Sequence, residues 1–155
     1  MRFLKILPIV AGVALAGGAL AHDDAGIDRQ PGPHGGQQRV AGDYHVELVV
    51  PPLGHAGPDS VLTVYLADHD DRPMATAGAT GRAAVVAHRQ RINVALEPAG
   101  DNALRGSGRF VPEPDLVVVV SFGRPGEATQ QARFTPFKYL DGSPRTPGGA
   151  GKTSE

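Results

Sequence analysis

The side chains best suited to chemistry in this chain are its six histidines, since the sequence has no cysteine and only two methionines. Neutral imidazole is a good ligand for Cu(II), Zn(II), Ni(II) and Co(II). The lack of cysteine excludes disulfides, thiolate metal sites and cysteine nucleophiles. Met74, the one methionine beyond Met1, excludes a methionine-rich Cu(I) site. The chain therefore offers donors for a divalent metal ion, and these are His22, His34, His45, His55, His69 and His88.

Two of these histidines stand where they could converge. His34 precedes Gly35-Gly36, and because glycine permits tight turns, the segment carrying His34 could fold back onto the domain that follows. His45 lies on the face of the first predicted strand that it shares with Asp43 and Glu47, opposite the apolar set. If the leading segment doubles back, His34 and His45 meet. The alternative for His45 is a solvent-facing histidine on an edge strand.

A polar turn, Asp68–Asp71, offers a third histidine. His69 in this turn would join His34 and His45 as metal ligands. Carboxylates would complete the site or orient its imidazoles, and the candidates for this role are Asp43, Asp68 and Asp71. An acidic loop is also commonly a solvated turn, so that alternative stays open.

The first 21 residues predict an exported protein. Arg2 and Lys5 precede an apolar run over residues 6–15, and Ala19-Leu20-Ala21 fits a signal-peptidase site. Cleavage at this site would leave His22 as the mature N-terminus, where its α-amine and ring could chelate Cu(II) beside a second histidine. The alternative for His22 is the start of a disordered tail. Without cleavage, the signal would hold the chain to the membrane. Either way, the predicted compartment is the periplasm.

Other motifs carry no recognisable activity. Gly106-Ser107-Gly108 falls in a predicted strand instead of the strand-to-helix turn of a nucleophile elbow. The Asp68–Asp71 turn lacks the glycine and the final glutamate of a calcium loop. TPGGAGKT at 146–153 has threonine for the first P-loop glycine and no strand before it. The sequence suggests no partner residue for His55 or His88, and both are predicted to be structural or exposed. We therefore expect a protein that is not an enzyme.

Composition divides the chain into four parts. We predict a signal peptide over residues 1–21, a flexible Gly- and Pro-rich lead-in over 22–37, a folded domain over 38–138 and a disordered tail over 139–155. About 100 residues suffice for one small core. The net charge of −1 becomes more negative when Arg2 and Lys5 are removed. A nucleic-acid binder normally carries a basic excess, so no nucleic-acid partner is expected.

The middle of the chain alternates between apolar and polar residues, which is typical of strands with one buried face. Tyr44, Val46 and Leu48, for example, alternate with His45 and Glu47. Turn signals separate about seven such runs, at 39–50, 61–67, 82–88, 91–97, 103–110, 116–122 and 129–135. The predicted fold is all-β, an immunoglobulin-like sandwich of about seven strands with flexible N- and C-terminal tails. A small open barrel is the alternative.

Several segments resemble a known group of proteins: HGG at 34–36, YHVELVV at 44–50, LTVYLADHDDRP at 62–73, AGATGRAAV at 77–85, LEPAGDNALRGSGRF at 96–110, VVVSF at 118–122 and QARF at 131–134. They resemble small exported β-sandwich proteins, and N-terminal domains of periplasmic efflux adaptors, associated with heavy-metal resistance. The resemblance covers about residues 34–135 and implies a periplasmic metal-handling role with His34, His45 and His69 as ligands. His22 also resembles the first residue of copper-binding periplasmic sandwich proteins, although here residues 23–37 separate it from the first strand.

These observations predict a periplasmic metal-binding protein that buffers or delivers Cu(II) or Zn(II) in heavy-metal homeostasis or resistance. Its expected ligands are His34, His45, His69 and His22. The alternative is a non-catalytic interaction module that docks on an efflux-system or other envelope protein through a sheet edge or loop tips. A basic stripe formed by Arg82, Arg89 and Arg91 has no aromatic residues between its members, and is interpreted as a solvated face.

Overall fold

The computed structural model describes residues 31–55 and 58–138. This part of the chain is built of β-strands and turns, without a helix, and hence without one long and apolar enough to cross a membrane. The strands are β1 (Gln37–Ala41), β2 (Tyr44–Val49), β3 (Ser60–Ala67), β4 (Thr80–Ala87), β5 (Gln90–Pro98), β6 (Ala103–Gly108), β7 (Val117–Gly123) and β8 (Gln130–Phe134). The predicted signal peptide, His22 and the predicted tail lie outside the described residues.

The eight strands form one antiparallel sheet in the order β1-β2-β3-β6-β5-β4-β7-β8. The sheet curls until β1 and β8 lie next to each other. The Thr135 N–H donates to Gln37 Oε1 at 2.8 Å, and Arg39 Nε donates to the Arg133 carbonyl at 3.1 Å. Because these bonds use side chains where a strand ladder would use the backbone, the barrel is nearly closed.

A cluster around Tyr44 ties two hairpin ends together at one end of the barrel. The Tyr44 hydroxyl donates to Glu127, and Arg124 donates to that hydroxyl at 3.1 Å. The Tyr44 ring meets Phe122 edge to face, with centroids 5.2 Å apart. Burial, aided by the hydrogen bond to Glu127, raises the pKa of Tyr44 above its usual 10.0. The β1–β2 and β7–β8 turns are therefore held against each other.

The interior of the barrel follows from the alternation in the sequence, since every second side chain of a strand points to the same face. Aliphatic and phenylalanine side chains fill it, and the largest that are fully buried are Phe122, Phe134, Leu48, Leu62, Leu66, Leu104 and Leu116. The outer faces carry mostly exposed polar residues. One region departs from this rule, because polar side chains on the outer face of β2 are buried as well.

The structure confirms the all-β class but not the immunoglobulin-like sandwich, and it has eight strands where about seven were predicted. The single curled sheet is nearer to the small open barrel. Six predicted strands match β3–β8 to within two residues at each end. The predicted strand 39–50 is instead two strands, because Gly42 and Asp43 form a two-residue turn in which Gly42 has φ 60°. Glycine at the first turn position with positive φ is typical of a type II′ hairpin.

The β4–β5 turn places two residues other than glycine in left-handed backbone conformation, His88 with φ 49° and Arg89 with φ 62°. Such a conformation costs an L-residue about 1–2 kcal/mol, and glycine adopts it freely. We expect Arg89→Gly to stabilise the protein by about 0.5–1 kcal/mol, the strain relieved less the entropy that glycine adds to the unfolded chain. Urea unfolding measures this change.

Arg91→Gly is the matched control, because it removes the same side chain from an exposed position inside β5. Glycine inside a strand is destabilising by roughly 0.5–1 kcal/mol. The two variants should therefore shift the urea midpoint in opposite directions. A shift in the same direction for both would show that the side chain, and not the turn conformation, determines the effect.

Candidate metal centre

His45 and Glu47 point away from the barrel interior, yet they are only 9% and 3% exposed. The register places Glu47 beside Gln38 of β1 and Tyr65 of β3, and pairs His45 with Ala67. Two turns cover this region: residues 31–36, which precede β1, and residues 68–72, which follow β3. A polar site is thereby enclosed on the outer face of β1–β3.

The turn over residues 31–36 encloses the Glu47 carboxylate. The backbone N–H groups of His34 and Gly36 donate to Glu47 Oε1 at 2.9 Å and 2.7 Å, and His34 Nδ1 lies 2.8 Å from Glu47 Oε2. Within the turn, the Gly32 N–H donates to the Gly36 carbonyl and the Gly35 N–H to the Gly32 carbonyl, each at 2.9 Å. Three donors thus satisfy a carboxylate whose side chain is 4% exposed.

Two glycines make this close approach possible. A Cβ at Gly36 would lie 2.4 Å from the Leu48 carbonyl oxygen, and a Cβ at Gly32 would lie 2.4 Å from the carboxyl carbon of Glu47. Neither position has room for a larger residue unless the backbone or the carboxylate moves. Gly32 and Gly36 are therefore required for the turn to sit on β2.

The His34 ring is held from two sides. It stacks on Tyr65 with centroids 3.6 Å apart and an interplanar angle of 4°, and its Nδ1 meets Glu47. An ionised carboxylate can only accept a hydrogen bond, so in the neutral ring Nδ1 carries the proton and Nε2 the lone pair. The His34 side chain is 42% exposed, which leaves it more freedom than its partner Glu47.

The His45 ring lies between an acid and a second imidazole. Its Nδ1 is 2.7 Å from Asp71 Oδ1, and its Nε2 is 3.3 Å from His69 Nδ1. The rings of His45 and His69 are nearly perpendicular, at 88°, with centroids 5.1 Å apart. As with His34, the carboxylate fixes the proton on Nδ1 and leaves the lone pair on Nε2. Metal-ligating histidines almost always have their second nitrogen bound in this way.

A tight hairpin turn brings His69 and Asp71 to β2. Asp68 Oδ1 accepts from the N–H groups of Asp70 and Arg72, both at 2.9 Å, and the Asp68 N–H donates to the Arg72 carbonyl at 2.9 Å. Asp71 closes the turn with φ 59°. A three-residue loop ending in left-handed backbone is a common hairpin, and aspartate tolerates this conformation better than most residues.

The carboxylate of Asp68 should retain its charge to unusually low pH. The Arg72 N–H, which donates to it, lowers its pKa below the ordinary 3.8. A depressed pKa means that this hydrogen bonding stabilises the folded turn above pH 3.8 and is lost as pH falls through the lower, folded-state value. We expect the amide proton shifts of Asp70 and Arg72 to titrate with a midpoint below 3.8 in an NMR experiment. A midpoint at or above that value would contradict this description of the turn.

Between the two turns lies a cavity of about 150 Å³. This volume accommodates an ion with several water molecules. Its lining is partly apolar, from side chains such as Leu66 and Pro73. The polar side chains that line it are His34, Gln38, His45, Glu47, Asp71 and Asn102. His34 and His45, each with a carboxylate partner, thus share one cavity.

No family model, curated protein or solved structure matches this chain. The function must therefore be inferred from the site itself. Within residues 31–55 and 58–138, no group of three histidine, aspartate or glutamate side chains is arranged to hold a metal ion as it stands. A site with three protein ligands would need a side chain to move, and the His34 side chain, which is 42% exposed, is one that could do so.

Three of the four predicted ligands lie at or beside the cavity. His34 and His45 line the cavity, and His69 contacts the His45 ring. In the described part of the lead-in, residues 31–36 form the turn on β2, and Gln37 begins β1. The lead-in therefore doubles back there, which is the condition under which His34 was expected to approach His45. His22 lies outside the described residues.

The remaining candidates have separate surroundings. Among the carboxylates, Asp71 contacts His45 and Asp68 shapes the turn, while Asp43 is exposed in the β1–β2 turn and does not line the cavity. His55 is exposed between β2 and β3. His88 pairs with Glu113 at 2.9 Å, near the β4–β5 turn. His55 and His88 are thus separate from the cavity.

Two residues that the sequence analysis did not single out are central to the site. Glu47 had been placed on the face of His45 without a role, and the structure makes it the partner of His34. A glutamate inside an otherwise apolar strand, two residues from a histidine, is the signal that could have identified it. Tyr65 gave no comparable signal, because its stacking on His34 depends on the turn that precedes β1.

Proposed function

We propose that this chain is a periplasmic protein that binds one divalent metal ion, Cu(II) or Zn(II), and buffers or delivers it without catalysing a reaction. The observation that supports this most strongly is the position of His45. Asp71 on one side fixes its proton, and the lone pair on the other side faces His69. Such a pair of nitrogens is a chelating site for a borderline metal ion.

The separation of the two ring nitrogens supports the same proposal. Two nitrogens bound to one zinc ion at about 2.0–2.1 Å, with a tetrahedral angle between them, lie about 3.3–3.4 Å apart. His45 Nε2 and His69 Nδ1 are 3.3 Å apart. With the lone pair on His45 Nε2, the proton of this contact is on His69 Nδ1. Once that proton has moved to the Nε2 of His69 or been released to solvent, an ion could replace the contact between the rings with little change in their positions.

His34 is the proposed third ligand. Its Nε2 carries the lone pair, and its ring lines the same cavity as His45. Binding requires the ring to turn from its stacked position on Tyr65 toward the His45–His69 pair. Glu47 would then act as the carboxylate partner of a ligating histidine, as Asp71 does for His45. Solvent would supply the remaining coordination positions.

Native mass spectrometry of the secreted protein, alone and with equimolar Cu(II), Zn(II) or Ni(II), tests this proposal. We expect one tightly held ion on the wild type and none on the His34→Ala/His45→Ala/His69→Ala variant. The affinity should also fall between about pH 7.5 and about pH 5, because protons compete with the metal for the imidazole nitrogens. The mass of the metal-free chain shows whether His22 is the first residue.

His55→Ala is the matched control for these measurements, because His55 is an exposed histidine that does not line the cavity. It should bind the same ion as the wild type. A folded wild type that holds no stoichiometric ion would overturn the proposal. Equal binding by the wild type and the triple variant would place the ion elsewhere in the chain and would overturn the assignment of the ligands.

A further inference from the structure

The side of the barrel away from the cavity carries exposed arginines on neighbouring strands. We call this surface the arginine face, and it consists of Arg82 of β4, Arg91 of β5 and Arg105 of β6. The sheet order places β4 and β5 across the barrel from β1 and β2, which form the cavity together with β3. The sheet order therefore adds Arg105 to a stripe that the sequence alone limited to β4 and β5.

The charge of the arginine face is not neutralised by the fold. Glu97, opposite Arg105, is the one carboxylate at an outward position of β4–β8. Within the described part of the chain, none of the three arginines makes an ion pair. On the rest of the barrel, in contrast, Arg72 pairs with Asp70 at 2.7 Å and Arg124 with Glu127 at 3.0 Å.

The spacing of the arginines fits an extended chain. Arg82 lies opposite Ala95, and Arg91 is four residues along β5 from that point. At about 3.4 Å per residue, the two arginines are about 14 Å apart along the strand direction. The outward residues between them, Ala84 and Asn93, are small. An extended segment with acidic side chains four residues apart would reach both guanidinium groups.

We propose that the arginine face docks an acidic, extended segment of a partner protein. Guanidinium forms paired hydrogen bonds with carboxylates, and arginine is preferred over lysine for such recognition. The face is convex across its strands, so a flexible segment can follow it, whereas a flat lipid bilayer would meet only a few strands. The outward positions of β4–β8 hold no aromatic residue on which nucleic-acid bases could stack.

The arginine face and the cavity have no residue in common. The face is centred on β4 and β5, across the barrel from β1 and β2, so a partner bound to Arg82 and Arg91 would leave His34, His45 and His69 accessible. Docking on this face is therefore independent of metal binding and would hold the chain beside a partner while the metal site stays open.

Fluorescence anisotropy of a labelled, extended glutamate–serine peptide with the full chain tests this inference. We expect saturable binding that weakens as salt is added, since exposed charges are screened. Arg82→Gln/Arg91→Gln should weaken it by about 10-fold, because two exposed charge pairs with the peptide are lost. Arg72→Gln/Lys138→Gln removes two exposed cations from outside the face and should leave binding unchanged.

Equal loss in both double variants would show that net charge alone drives binding, and would overturn the inference. Circular dichroism establishes that each variant is folded. Phosphatidylglycerol vesicles and heparin serve as competing probes. Binding to either of these without binding to the peptide would mean that the face recognises a lipid surface or another polyanion, and would also overturn the inference.

Discussion

Replacing His45 by alanine is expected to weaken Zn(II) binding by more than about 100-fold. Loss of a carboxylate partner alone typically costs 10–100-fold in affinity, and here a ligand is lost. His45 contacts both Asp71 and His69, so its removal takes from each of them the ring that joins them. Competition titration with a zinc chelator of known affinity measures the change.

Asp71→Asn tests whether Asp71 positions the His45 ring for metal binding, because this substitution should leave the fold intact. The asparagine amide can donate to His45 Nδ1, which would move the ring proton to Nε2, the nitrogen proposed to bind the metal. Asparagine also tolerates the left-handed backbone at this position. We expect Asp71→Asn to lose about 10–100-fold in affinity with an unchanged melting temperature. Unchanged zinc affinity in both His45→Ala and Asp71→Asn would contradict the assignment.

Gly36→Ala is expected to lower the free energy of unfolding by about 1–3 kcal/mol, the usual cost of forcing extra atoms into a packed site. The new Cβ would lie 2.4 Å from the Leu48 carbonyl oxygen, so the turn must lift from β2. The Gly36 N–H that donates to Glu47 would move with it. Because His34 is carried by the same turn, metal affinity should fall as well. Urea unfolding and the zinc competition titration report the two effects.

Gly123→Ala is the matched control for this variant. A Cβ at Gly123 would meet nothing closer than the Thr129 hydroxyl at 3.6 Å, an ordinary contact. We expect its stability and zinc affinity to match those of the wild type. Equal stability of Gly36→Ala and Gly123→Ala would contradict the claim that the turn packs closely on β2 at Gly36.

The strands could be predicted from the sequence because apolar and polar residues alternate along each one, and this pattern does not depend on the rest of the chain. The turn at Gly42 and Asp43 was missed because two residues leave no polar break in the pattern. Curling of the sheet into a barrel depends on β1 meeting β8. Contacts between segments almost one hundred residues apart leave no local signal, so the sandwich and the barrel could not be distinguished.

Part of the candidate site could also be predicted from the sequence. The histidines themselves and the glycines that let the lead-in turn back are local features, and they led to the prediction of His34, His45 and His69. The burial of His45 was not predictable, because it results from two turns that cover the outer face of β2. Which carboxylate orients which imidazole depends on those same turns, and the sequence left Asp43, Asp68 and Asp71 equally open.

The most direct test of the metal site is a long-range proton–nitrogen NMR spectrum of the histidine rings, recorded before and after one equivalent of Zn(II). The carboxylates of Glu47 and Asp71 should hold the protons of His34 and His45 on Nδ1 in both states. Zinc should then shift the Nε2 resonances of these two rings and leave His55 unchanged. Protonation of Nε2 in the metal-free protein, or a zinc-induced shift at Nδ1 of these rings, would contradict the proposed metal site.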